Sequence, residues 1–201
     1  MIGVFGGTFD PVHIGHLRLA TEVAEALSLS RVHLVPAAIP PHRGEPLLDP
    51  ATRLDLVARS IADEPEFVLD DREYRRAGPS YTADTLDEFA AEFPGVPLVL
   101  MMGMDAFNGL PGWHEVERIL QLAHVAVASR PGARAEGIAA EWLAARRAEP
   151  AELVESAAGR IVPITITRLD ISATTLRALL DQGRSLRYLV PEPVATHFTR
   201  S

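Results

Sequence analysis

Val4-Phe5-Gly6-Gly7-Thr8-Phe9-Asp10-Pro11-Val12-His13-Ile14-Gly15-His16-Leu17 is the stretch on which the reading of the fold depends. Its apolar opening, with Ile2 ahead of Val4 and Phe5, predicts a short buried strand. Gly6 and Gly7 are expected to let the backbone turn tightly and approach a ligand closely. Asp10-Pro11 is a turn signal. From about His13 a helical pattern begins, with Leu17, Ala20, Val23, Ala24 and Leu27 on one side. Strand, glycine turn and helix N-terminus together make an anion site, because the first helical N–H groups lack partners and the dipole favours negative charge there. His13 and His16 lie three apart on one face of the first turn, so both imidazoles can meet the same phosphate. Gly15 between them removes a side chain where a flat ring could lie on the helix. The plainer alternative is a strand-to-helix turn whose histidines only cap the helix.

The 201 residues suit one domain with room for a sizeable core. Composition is that of a soluble globular protein, 47% hydrophobic and 23% charged. The net charge of −8 argues against a nucleic-acid surface, so an anionic substrate must be met by local donors and metal. There is no cysteine, which excludes disulfides, thiolate nucleophiles and Cys–zinc sites. All 19 basic residues are arginine, which removes Schiff-base chemistry and a P-loop lysine. The Met1 end has no basic stretch before an apolar one, and no apolar run approaches the ~18 residues of a membrane span. A cytoplasmic protein that binds neither nucleic acid nor membrane is expected.

Strands are expected at 31–36, 67–69, 97–102, 124–128 and 160–166, and helices at 51–62, 82–93, 115–122, 174–181 and 192–198. Pro97 to Met102 is a continuous apolar run, the mark of a central parallel strand. Pro163 suggests an edge strand or a bulge. Residues 36–50 carry five prolines (36, 40, 41, 46 and 50) and form a stiff loop, and 71–80 reads as a loop too. The Ala/Glu/Arg-rich stretch at about 133–159 reads as a peripheral helical excursion on a single domain spanning 1–201. Strands alternating with helices predict an α/β fold: a Rossmann-like open, mostly parallel sheet with helices on both faces.

Ile171-Ser172-Ala173-Thr174-Thr175-Leu176-Arg177 opens the helix after the last strand. Ser172 or Thr174 is expected to cap it, and Arg177 follows within two turns, so the segment is either just a capped helix or, beside the first motif, a second phosphate clamp of hydroxyls, backbone N–H groups and a bidentate cation. Gly103-Met104-Asp105 follows the central strand and places Asp105 at the carboxyl edge, where open α/β sheets bind ligands. Asp105 either holds ribose or a metal's water there, or caps a short helix at Ala106.

The first of these stretches resembles the H-x-G-H signature of the nucleotidylyltransferase superfamily. Together with Pro40-Pro41-His42-Arg43, Pro79-Ser80-Tyr81-Thr82, Leu110-Pro111-Gly112-Trp113-His114 and the Ser172–Arg177 element, the chain is similar, from Val4 to about Pro193, to bacterial nicotinate-nucleotide adenylyltransferases. The resemblance implies adenylyl transfer from ATP to nicotinate mononucleotide, yielding deamido-NAD and pyrophosphate. It implies His13, His16 and Arg177 as catalytic residues. It assigns ATP to Gly6, Gly7, Thr8, Phe9, Gly15, Asp105, Ser172 and Thr174 along with those three. Ala38, His42, Arg43, Tyr81, Thr82, Trp113 and His114 are implied for the mononucleotide, with Trp113 stacked on the nicotinate ring and backbone N–H groups near Thr82 and His114 receiving its carboxylate. Mg²⁺ is expected to ride on the substrate phosphates with few or no protein ligands. The resemblance also allows a homodimer. Several such relatives carry Asn where this chain has Ala37-Ala38, which removes a side-chain hydrogen bond to the mononucleotide. Relatives acting on nicotinamide mononucleotide or phosphopantetheine, and a nucleotide sensor without turnover, are the alternatives.

Overall fold

The computed structural model describes residues 1–41, 44–129 and 132–199. Among them, β1 (Ile2–Gly7), β2 (Arg31–Pro36), β3 (Phe67–Leu69), β4 (Leu98–Gly103), β5 (Ala123–Ser129) and β6 (Ile161–Thr165) form one sheet. The strand order is β3-β2-β1-β4-β5-β6 and every neighbouring pair is parallel. The α-helices are α1 (Ile14–Leu27), α2 (Pro50–Ser60), α3 (Arg72–Arg75), α4 (Thr82–Glu92), α5 (Met104–Gly109), α6 (Val116–Leu122), α7 (Gly137–Arg146), α8 (Ala173–Asp181) and α9 (Glu192–Thr199).

Alternation along the strands divides the core in two. Ile2 and Val4 of β1 and Leu98, Leu100 and Met102 of β4 face one side, where Leu86 and Phe89 of α4 and Phe107 of α5 cover them. Phe5, Val99 and Met101 face the other, against Val23 of α1, Leu56 and Val57 of α2, Leu176 of α8 and Val194 of α9. Because both faces are covered, β4 is buried from Leu98 to Met102 and needs the unbroken apolar run that its sequence shows.

β1 leads to β2 and β3 on one side, and the chain then crosses to β4, β5 and β6 on the other. The connections leaving the carboxyl ends of β1 and β4 therefore diverge, and a crevice opens between Gly7 and Gly103.

Two stretches differ from expectation. Residues 71–80 contain the single turn of α3, too short to carry a periodic signal. The stretch read as a peripheral excursion is the crossover from β5 to β6, made of α7 and a 3₁₀ turn (Pro150–Glu155). Ala139 and Leu153 are wholly buried, and Trp142 and Leu143 pack on the core. Its pattern is weak because a small residue, Ala139, makes the close contact. Pro163 lies on β6, the edge strand.

Candidate active site

A cleft of about 1420 Å³ occupies the crevice. That exceeds the few hundred to ~1,000 Å³ of a single drug-sized ligand and suits two nucleotides side by side. Gly6, Gly7, Thr8 and Phe9 line one wall. The two glycines remain in extended strand, contrary to the tight turn expected of them. The turn falls instead on Phe9, whose φ of 48° is left-handed, and on the cis Asp10–Pro11 bond. Gly6 serves by absence: a Cβ there would meet nothing within 4 Å, so its backbone faces open cleft.

α1 begins with a reciprocal cap made by the two histidines. The His16 N–H donates to His13 Nδ1 at 3.2 Å, and the His13 N–H donates to His16 Nδ1 at 3.3 Å. The rings stack with centroids 3.5 Å apart and planes 16° from parallel. Phe9 meets His16 edge-on at 5.0 Å and Phe5 at 5.7 Å, so the pair rests on an aromatic shelf. Since each Nδ1 accepts, the proton of each neutral imidazole sits on Nε2, the tautomer that donates from that nitrogen. Capping and phosphate binding are thus not alternatives. One ring nitrogen caps the helix while the other carries the donor. Gly15 suits this packing, because a Cβ there would lie 3.1 Å from His13 Nδ1, closer than an ordinary contact.

The second clamp closes from α8. Ser172 is its N-cap and accepts from the Thr175 N–H at 3.1 Å. Arg177 Nη1 donates to the Asp10 carbonyl at 2.8 Å and to its carboxylate at 3.4 Å, and Nη2 reaches Thr174 Oγ1 at 3.4 Å. Asp10 is 4% exposed and also accepts from the Leu47 and Leu48 N–H groups, both at 2.9 Å. Ser172, Thr174 and Arg177 line the same cleft as His13 and His16.

The other half of the cleft is aromatic. Tyr81, Thr82, Trp113 and His114 line it, with the Tyr81 and His114 rings 4.2 Å apart and tilted by 30°. Tyr81 is the cap residue of α4 and makes no side-chain capping bond, so Thr82 opens the first turn with its N–H. Asp105 lies in the first turn of α5 on the cleft, and Gly103 takes the cap position considered for it. Ala37 lines the cleft whereas Ala38 does not; the Ala38 carbonyl is turned to Arg53. His42 and Arg43, also expected at the mononucleotide, lie outside the described residues.

The fold agrees with that of known proteins. A cytidylyltransferase-like family model matches residues 4–179. The chain is 52% identical to a Halorhodospira halophila protein named "Probable nicotinate-nucleotide adenylyltransferase", over 96% of this chain and 90% of that one. It is 46% identical to an Aeromonas hydrophila protein of the same name, over 98% and 93%. The chain belongs to the nicotinate-nucleotide adenylyltransferase family. The same fold occurs in Plasmodium falciparum nicotinic acid mononucleotide adenylyltransferase complexed with NaAD. The TM-score is 0.74 at 15% identity, covering 99% of this chain and 94% of that one. Like other members of this family, the protein is a nucleotidyltransferase.

In this adenylyltransferase-family cleft, three residues stand out that the sequence reading left as turn, loop or helix positions. Asp10 and Arg53 hold the walls, and Glu73 lines the cleft beside Ser80 and Tyr81. Thr85 Oγ1 donates to Glu73 at 2.7 Å. Burial pushes the Glu73 carboxyl up, against the hydrogen bonds from Thr85 and Ser80 and the nearby Arg76 cation. A buried acid inside a polar turn has no periodic signal. The one available clue was a charged residue at a core-facing helical position, which Arg53 occupies beside Leu56 and Val57. No helix among the described residues is long and apolar enough to cross a membrane.

Proposed function

We propose that this enzyme transfers the adenylyl group of ATP to nicotinate mononucleotide, releasing pyrophosphate and forming deamido-NAD. The observation that carries the reading is one cleft with a histidine–arginine phosphate wall at one end and an aromatic pocket at the other. The mononucleotide phosphate, ionised at neutral pH, is the nucleophile, so no general base is required. Its oxygen bonds to the α-phosphorus of ATP, the bond to the bridging oxygen breaks, and that electron pair leaves on pyrophosphate. The protein aligns the two phosphates and stabilises the charge that develops. His13 and His16 donate from Nε2 around the scissile bond. Arg177, held by Asp10, and the α8 N-terminus with Ser172 and Thr174 take the remaining triphosphate oxygens.

Asp105 at the carboxyl edge would hold the ribose hydroxyls. Trp113 would stack on the nicotinate ring, with N–H groups at Thr82 and His114 receiving its carboxylate. Mg²⁺ suits this site when carried on phosphate oxygens, since no group of three or more His, Asp or Glu among the described residues is arranged to hold a metal ion. When bound, the ion would neutralise charge on the pyrophosphate. The reading places the enzyme in the cytoplasm, with its nucleotide substrates.

The test is pyrophosphate release from ATP and Mg²⁺ with nicotinate mononucleotide, nicotinamide mononucleotide or phosphopantetheine. A large kcat/KM advantage for nicotinate mononucleotide is expected. Preference for the amide would overturn the carboxylate pocket, and ATP binding without release from any acceptor would make the protein a nucleotide sensor.

A further inference from the structure

Arg53 is the largest side chain buried completely among the described residues, at 0% exposure. Its guanidinium donates through Nη1 to the Thr8 carbonyl at 2.8 Å and the Ala37 carbonyl at 2.6 Å. Nη2 reaches the Ala38 carbonyl at 3.2 Å and Nε the Leu48 carbonyl at 3.3 Å. No carboxylate among the described residues pairs with it. An isolated buried cation is costly, so the four carbonyl dipoles are what make this placement tenable.

The four carbonyls come from three separate segments, and two of these line the cleft through Thr8 and Ala37. Thr8 follows β1 and Ala37 follows β2, and both line the cleft, where the reading above puts ATP phosphates near Thr8. The Ala37 N–H also donates to the Gly7 carbonyl at 2.9 Å, so the two strand ends are already in contact.

We propose that Arg53 is a positioning residue that sets the separation and facing of the two substrate segments by gripping the carbonyls of Thr8, Ala37 and Ala38. The inference rests on the adenylyl-transfer reading above. In a trans peptide the C=O and N–H point in opposite directions, and Thr8–Phe9, Ala37–Ala38 and Ala38–Ile39 are all trans. Drawing the Thr8 and Ala37 oxygens toward the guanidinium therefore turns the Phe9 and Ala38 N–H groups away from it. The same fork fixes the backbone orientation of both segments at once. In-line attack tolerates little error, and a misplacement of about 1 Å can cost roughly 100-fold in rate. Lysine would keep the charge, but its ammonium is a point and cannot span these carbonyls as a planar fork does.

The experiment compares wild type with Arg53→Lys. We expect each substrate alone to bind within about threefold of wild type by calorimetry while kcat falls about 100-fold, the pattern of lost alignment rather than lost binding. A kcat per folded molecule within about threefold of wild type overturns the proposal, as does a loss of binding in step with kcat, which marks a purely structural residue. Should Arg53→Lys not fold, amide hydrogen exchange on the ligand-free wild type decides. Protection of Ala37 to Ile39 comparable to β2 supports the clamp, and exchange at unprotected rates overturns it. If wild type is inactive with nicotinate mononucleotide, the functional reading fails on its own, and the exchange measurement still decides the clamp.

Discussion

Arg177 and Asp10 lie 167 positions apart in the chain, yet one guanidinium nitrogen contacts both the carbonyl and the carboxylate of Asp10. This contact ties the first turn after β1 to the last functional helix. The carboxylate also holds the Leu47 and Leu48 amides, so one buried acid joins three walls of the cleft. Asp10→Ala leaves those amides without an acceptor. The expected loss is about 3 kcal/mol, at 1–3 for each buried unsatisfied group. Activity should fall with it through a raised KM for ATP, as Arg177 loses the carboxylate and is left with the Asp10 carbonyl alone. Urea unfolding and steady-state kinetics check both parts.

The histidine pair separates capping from chemistry. His16→Ala should lower kcat by about 10²–10³, the usual loss for one preorganised donor. His13→Asn keeps a capping acceptor and should be about 1 kcal/mol more stable than His13→Ala. Both variants at position 13 should be similarly impaired in turnover. Full activity in His13→Asn would show that His13 only caps the helix.

Trp113→Ala should raise KM for the mononucleotide and leave KM for ATP near wild type, because the ring sits in the aromatic half of the cleft. Trp113→Phe should recover part of the loss. Equal effects on the two KM values would remove the stacking role.

Asp70 gives the fold a pH signature away from the cleft. Burial raises its carboxyl, but hydrogen bonds from His33 and Arg72 outweigh this and hold it well below the usual carboxylate range. His33 Nδ1 lies 3.1 Å from Asp70, and Arg72 donates to it at 2.7 and 2.8 Å. With the folded value depressed, the stabilisation is fully present above the unfolded value near 3.9 and is lost as pH falls through the folded value. Asp70→Asn should cost about 2–3 kcal/mol at pH 7. The gap from wild type should narrow only below about pH 4. Urea titrations at pH 7, 5 and 3 read this directly, and a gap that does not depend on pH would contradict it.

The α/β class and the position of the cleft were legible because local signals dictate them. Alternating strands, the run from Leu98 to Met102 and the helix starts at His13 and Ser172 each act over a few residues. The partners of those residues were not legible. Asp10 read as a turn former, and nothing near it in sequence announces Arg177 or Leu48. Arg53 sits in a helical pattern where a charge ordinarily faces water, and only the parallel pairing of β1 and β2 brings Thr8 and Ala37 to it. The glycine turn was misplaced for a related reason. Gly6 and Gly7 permit a left-handed turn, but the backbone uses Phe9 for it and keeps the glycines extended, Gly6 against open space and Gly7 against the Phe9 ring.

The two rims of the sheet have a bearing on assembly. β3 offers only three residues to any incoming strand. β6 carries Pro163, which cannot donate, and the Ala148 N–H already occupies the Ile161 carbonyl at 3.0 Å. Short, proline-bearing or covered borders are poor templates for strand addition, which protects such a sheet from edge-to-edge aggregation. Two copies of this chain would therefore meet through helices and loops, and their six-stranded sheets would not fuse into one.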